Sequence, residues 1–135
     1  MNKKALKLDK YGISNKRYKE LCGFCEQYPE WKDAIKNASF LRGVEYSDMP
    51  HSPNTGTSNP TQSLAIRLQA ASEKCKLIEE VAHAADEEFW LHIIKSVCYG
   101  TSVESMRAFD GLNISNSAFY DRRRYFFYLL DQKKG

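Results

Sequence analysis

The chain has 135 residues, 42% of them apolar and 27% charged, which is the balance of one ordinary globular domain or a compact core with an appendage. No apolar run approaches the ~20 residues that span a bilayer, and Met1–Lys10 is basic without an apolar stretch, so neither a membrane span nor a secretory signal is expected, and the expected location is cytoplasmic. The net charge of +3 is unevenly spread, with +5 in residues 1–20, −5 in 21–111 and +3 in 112–135, and two basic ends around an acidic middle point to a polyanionic partner met at the ends.

Residues 1–12 carry four lysines and no clear period, which predicts a mobile arm. Ser14 is a helix cap for a run from about Asn15 to Gln27, whose apolar positions Tyr18, Leu21, Cys22 and Cys25 fall at helical spacing. Pro29 suits a first helical turn and predicts a second helix through Trp31 and Ile35 to about Phe40. Arm and hairpin together make an N-terminal region, 1–41. Residues 42–60 hold Pro50, Pro53, Pro60, Gly43 and Gly56 among Ser, Asn and Thr, and predict a linker between that hairpin and a helical domain over 61–135.

Thr61 or Ser63 opens a long helix. Leu64, Leu68, Ala71, Cys75, Ile78, Ala82 and Ala85 alternate spacings of four and three, a heptad seam that Leu77 and Val81 widen toward a core face. Such a seam packs within its own chain or pairs two copies in a weak homodimer. Asp86, Glu87 and Glu88 suit the start of the next helix, which carries Phe89, Trp90, Ile93, Ile94 and Val97 and stops at Gly100. No stretch alternates as a strand would, so the fold class is all-α with about six helices.

The last 35 residues have the grammar of a helix-turn-helix. Thr101 or Ser102 caps a short helix through Val103, Met106 and Phe109, and Asp110-Gly111 breaks it. Leu112 and Ile114 plug the angle, Asn113 is the expected left-handed residue, and Ser115 caps a recognition helix from Asn116 to Leu130. At about 100° per residue, Phe119, Phe126 and Leu130 fall on one face and Ser117, Tyr120, Asp121, Arg124 and Tyr128 on the other. Arg124 has the fork that bonds both major-groove acceptors of guanine, and Asn116 can pair adenine. Arg122, Arg123 and Lys133 lie where phosphates are met. The expected double-stranded-DNA contacts are therefore Asn116, Ser117, Tyr120, Asp121, Arg122, Arg123, Arg124 and Lys133. The plain alternative is an amphipathic terminal helix with solvated arginines.

The sequence of elements resembles a known family. Tyr11-Gly12, a helix, Tyr28-Pro29-x-Trp31, a second helix, a polar loop ending Asn59-Pro60-Thr61, a long helix and a terminal helix-turn-helix with Ile114-Ser115-Asn116-Ser117-Ala118-Phe119 are similar to the RinA/ArpU-type late-gene transcriptional regulators of phages in Gram-positive bacteria. The C-terminal part of that family resembles the promoter-reading region four of sigma factors. The turn Phe109–Leu112 departs from its pattern by about one extra residue, and Asn113 stands in place of a glycine. The resemblance implies a phage- or prophage-encoded activator of late or packaging genes, with RNA polymerase as a further candidate partner. A DNA-packaging component of the small-terminase kind and a helical protein-interaction module that does not bind DNA are the rival readings.

Other chemistry finds little footing. Cys22-Gly23-Phe24-Cys25 has metal and redox spacing, but no further ligands at suitable spacing accompany it, and two core thiols one helical turn apart explain it. The four cysteines are expected to be free thiols. Glu79, Glu80, Asp86, Glu87 and Glu88 near His83 read as solvated faces and helix-start charges. No phosphate-cradling glycine loop, nucleophile elbow or paired-histidine zinc motif occurs, so no enzyme, cofactor or metal is expected.

Overall fold

The computed structural model describes the backbone of residues 11–48 and 60–135 and the side chains of 11–38 and 62–135. The expected arm, 1–10, and the stretch 49–59 of the expected linker lie outside the described residues. The fold is all-α, with six helices among the described residues: α1 (Asn15–Glu26), α2 (Tyr28–Asp48), α3 (Pro60–Ala85), α4 (Trp90–Tyr99), α5 (Val103–Phe109) and α6 (Asn116–Lys134). No described helix is long and apolar enough to cross a membrane.

α2 runs eight residues beyond the expected end at Phe40 and takes in the first part of the expected linker. Gly43 did not stop it, because one glycine in a helix interior costs only about 1 kcal/mol. The stronger breaker is Pro50, which disfavours helical backbone at the residue before it; α2 ends at Asp48.

The described helices fall into two compact units. One joins α1 to Leu77–Gly135, and the other joins α2 to α3 as far as Lys76. Within the second unit, Lys74 Nζ stands 5.2 Å from the centre of the Trp31 ring. In the first unit α1 packs on α4 and α6, and α4 packs on α6. α1 is thus part of the same core as the C-terminal helices rather than half of a detached hairpin.

The seam of α3 is consumed inside the chain over its middle. Ala71, Cys75, Ile78, Val81 and Ala82 are buried, whereas Leu64 is exposed. A free coiled coil through those central positions is not available without unpacking them.

α4 starts where Asp86 turns the chain. Its Oδ1 accepts from the backbone N–H of Glu88 (2.8 Å) and of Phe89 (2.9 Å). α4 ends at Gly100, whose φ of 67° is left-handed and lets its N–H close on the Lys95 carbonyl. Ile93, Ile94, Val97 and Cys98 of α4 are buried together with Phe119, Phe126, Phe127 and Leu130 of α6.

Three of the four thiols, Cys25, Cys75 and Cys98, are buried. Cys25 and Cys98 are buried free cysteines, and a hydrogen bond between them, reinforced by burial, pushes the Cys25 thiol far above its ordinary value. Burial also raises the Cys22 thiol. Among the described residues no group of three or more His, Cys, Asp or Glu is placed to hold a metal ion.

Candidate nucleic-acid interface

α5 forms and α6 begins where the sequence places them, and for the expected reasons, while α6 runs on to Lys134, past the expected end at Leu130. Ser102 Oγ accepts from Ser105 N–H and Ser115 Oγ from Ala118 N–H, both at 3.1 Å, so each helix has a side-chain cap. Between them Gly111 takes the left-handed conformation, with φ 71°. No atom crowds a Cβ there, so glycine is favoured by backbone conformation and not by space. This turn carries the Leu112 N–H back to the Met106 carbonyl (3.3 Å) and buries the Leu112 side chain. Ile114, the second expected plug, is only half-buried.

The connection is also tied to α4. Lys95 Nζ lies 3.0 Å from Asp110 Oδ2, and His92 Nε2 lies 3.0 Å from the Asp110 carbonyl oxygen. A further tie closes the turn itself. Arg107 Nη2 donates to the Ile114 carbonyl and to Asn116 Oδ1, each at 2.8 Å.

α6 is rotated from the expected setting. Phe119, Phe126 and Leu130 face the core as expected, but so does Arg124, which is 7% exposed and paired with Asp121. The exposed arc runs through Ser117, Asp121, Arg122, Tyr125 and Gln132. The reason lies in α1, which covers a flank of α6 that the wheel left open. Tyr18 meets Phe127 edge-on at 5.1 Å and Arg17 Nε donates to Asp131 Oδ1 at 2.6 Å, while Tyr11, in the turn before α1, lies against Tyr128 at 5.1 Å. The apolar face of α6 is therefore wider than a helix packed on α4 alone would need.

The eight expected contact residues separate accordingly. Asn116, Ser117 and Lys133 are exposed, and Tyr120 is half-buried with its ring edge-on to Phe119. Asp121 is exposed and holds the buried Arg124, so the guanidinium expected to read bases is paired within its own helix instead. Arg123 is half-buried; its Nε donates to Ser96 Oγ (3.0 Å), its Nη1 to Tyr18 Oη (3.1 Å), and the guanidinium stands over the Phe127 ring. Burial pushes the Tyr18 phenol up, against the pull of Arg123. Of the arginine triplet, Arg122 alone keeps a side chain 46% exposed, and its Nε donates to Asp86 Oδ2 at 2.7 Å. Two residues outside the expected set thus shape the surface. Arg107 bridges the turn, which no spacing rule across a loop would reveal. Asp86 orients Arg122, which its place among helix-start acids did not suggest.

Asp86 supplies a pH prediction. Burial pushes its carboxyl up, but hydrogen bonds from Phe89 N–H, Arg122 and Glu88 N–H outweigh this and leave it below the ordinary aspartate value. A lowered folded value contributes stability that is full above about pH 4, the unfolded range, and is lost as pH falls through the folded value. Thermal melts between pH 5 and pH 2 should therefore fall more steeply for the native chain than for Asp86→Asn, which keeps an acceptor but no titrating charge. Parallel curves would remove Asp86 from the acid response.

No protein-family model, curated protein or solved structure matches the chain.

Proposed function

We propose that the chain is a sequence-specific, duplex-DNA-binding transcriptional regulator that reads a promoter through α5 and α6. The observation that supports it best is the pair of serine-capped helices joined across buried Leu112, with Asn116 and Ser117 exposed at the start of the second helix beside Arg107. An exposed polar first turn is what a recognition helix needs to reach base edges. Arg122 and Lys133 supply cations for phosphates on the same helix. The resemblance set out above extends this to a phage or prophage activator of late or packaging genes that works with RNA polymerase.

The test is selection of bound sequences from random duplex DNA by the purified chain, followed by affinity measurements across salt. An enriched motif is expected, with log affinity falling linearly in log salt at a slope of about −0.9 per phosphate neutralised. Recovery of no motif, with no salt-dependent binding, would reject the reading.

One observation favours a second reading, a helical protein-interaction module. Phe109 is 83% exposed, and Leu91 and Tyr99 are also large exposed apolar residues of the same unit. Such residues scattered singly need no explanation, whereas a contiguous patch marks a partner surface. On that reading, the native chain shows no salt-dependent duplex binding, and Phe109→Ala abolishes capture of a protein partner.

A further inference from the structure

We infer that Arg107 is a positioning residue that sets Asn116 to read an adenine; the inference rests on the DNA-binding reading above. Arg107 lies on α5, and Asn116 is the first residue of α6. One nitrogen of the guanidinium, Nη2, spends both of its hydrogens across the turn, on the Ile114 carbonyl and on Asn116 Oδ1, each at 2.8 Å. The first bond fixes the backbone just before the Ser115 cap. The second fixes which way the Asn116 amide faces.

The amide oxygen of asparagine has two lone pairs, and its nitrogen has two hydrogens. Arg107 occupies one lone pair. One acceptor site and two donors are left on an exposed side chain whose rotation is now restrained. An acceptor beside a donor on one planar amide is the combination that matches adenine in the major groove, where N6 donates and N7 accepts. Guanine offers two acceptors on that edge, and cytosine a single donor, so neither satisfies both halves of the amide. A freely rotating asparagine would lose part of this discrimination to the entropy of ordering it on binding. The charge-assisted bond from Arg107 orders it beforehand.

Arg107 is itself exposed, so its other nitrogens have the chemistry of a phosphate contact, and the experiment must separate positioning from charge. Full-length protein is measured against single-base variants of the motif it selects, across salt, for Asn116→Ala, Arg107→Ala, the double variant, Arg107→Lys and Asn116→Asp, with a thermal melt for each. Asn116→Ala is expected to flatten an adenine preference at one base pair by roughly 5- to 150-fold. Arg107→Ala should weaken the preference at that same base pair and at no other. The double variant should be no flatter than Asn116→Ala alone, because a positioning residue has nothing to act on once its target is gone. Arg107→Lys, which keeps a charge and several donors, should recover part of the preference. Asn116→Asp should keep or strengthen the tie to Arg107 yet lose the adenine preference, since a carboxylate has no donor for N7.

The outcomes divide cleanly. If Asn116→Ala flattens one position while Arg107→Ala lowers all sequences alike and reduces the salt slope by about 0.9, Arg107 is a phosphate contact and the inference is overturned. If the flattened position is not an adenine, the inference is overturned too, while DNA binding stands. If the native chain selects no motif at all, the DNA-binding reading fails and the role of Arg107 falls with it. Melts set the measuring temperature, so a variant that loses stability is compared only where it is folded.

Discussion

Phe119→Ala is expected to cost about 3–5 kcal/mol, the range for deleting a fully buried phenylalanine ring and leaving a cavity. Phe119 is 0% exposed and follows the capped first turn of α6, with its N–H on the Ser115 carbonyl at 2.9 Å. Domains of this size are stable by only about 5–15 kcal/mol, so the loss is a large fraction of the whole. A fall in melting temperature on the order of 10–20 °C is the expected readout. Phe109→Ala is the matched control. The same residue type is removed ten positions earlier, but Phe109 is 83% exposed, and its removal should stay within about 0.5 kcal/mol of the native chain. The contrast tests whether α6 is held by its apolar face. Equal melts for the two variants would mean that the ring of Phe119 is not a part of the core.

The same contrast shows where sequence reasoning holds and where it stops. Local signals with a backbone mechanism were legible. Ser14, Ser102 and Ser115 cap their helices, and Gly100 ends α4 in the left-handed conformation. These depend on neighbours three to five residues away, which a sequence displays directly. The long helix of α3 and the break after Ala85 were legible for the same reason. What failed needed knowledge of distant packing. A helical wheel divides α6 into two faces, but α1 adds a second covered flank, through Tyr18 on Phe127 and Arg17 on Asp131. Nothing within residues 116–130 announces that neighbour. The wheel therefore places Arg124 on the solvent face, whereas its side chain is buried and paired with the exposed Asp121. The tie of Arg107 is not legible in sequence, because its partners, Ile114 and Asn116, lie across a turn whose geometry fixes the distance.

The largest separation of effects should come from the arginine triplet, because consecutive residues point about 100° apart around a helix. Arg123→Ala removes the donor to Ser96 Oγ and to Tyr18 Oη and the cation over the Phe127 ring. Leaving part-buried hydroxyls without that donor should cost roughly 1–3 kcal/mol. It should leave the salt slope of duplex binding unchanged at temperatures where the variant is folded, since a guanidinium spent inside the protein releases no counterions from DNA. Arg122→Ala should do the opposite. Its pair with Asp86 is close to the surface, where such bridges are worth about 0–1 kcal/mol, so the melt should barely move. On the proposed DNA-binding reading, the exposed end of its guanidinium should neutralise a phosphate, and its loss should reduce the slope by about 0.9. Arg124→Met keeps the apolar stem in place and removes only the buried charge. Its partner Asp121 is exposed and is left in water rather than as a lone buried charge, and replacing a buried charge by a well-packed apolar side chain is often neutral or stabilising, so this variant should melt at or above the native temperature and keep the native base preference. Paired melts and salt titrations on the three variants decide the matter. If Arg123→Ala lowers the slope as much as Arg122→Ala while its melt stays native, the Arg123 guanidinium leaves Tyr18 and Ser96 on binding. The reading surface then includes the flank of α6 that α1 covers in the free protein.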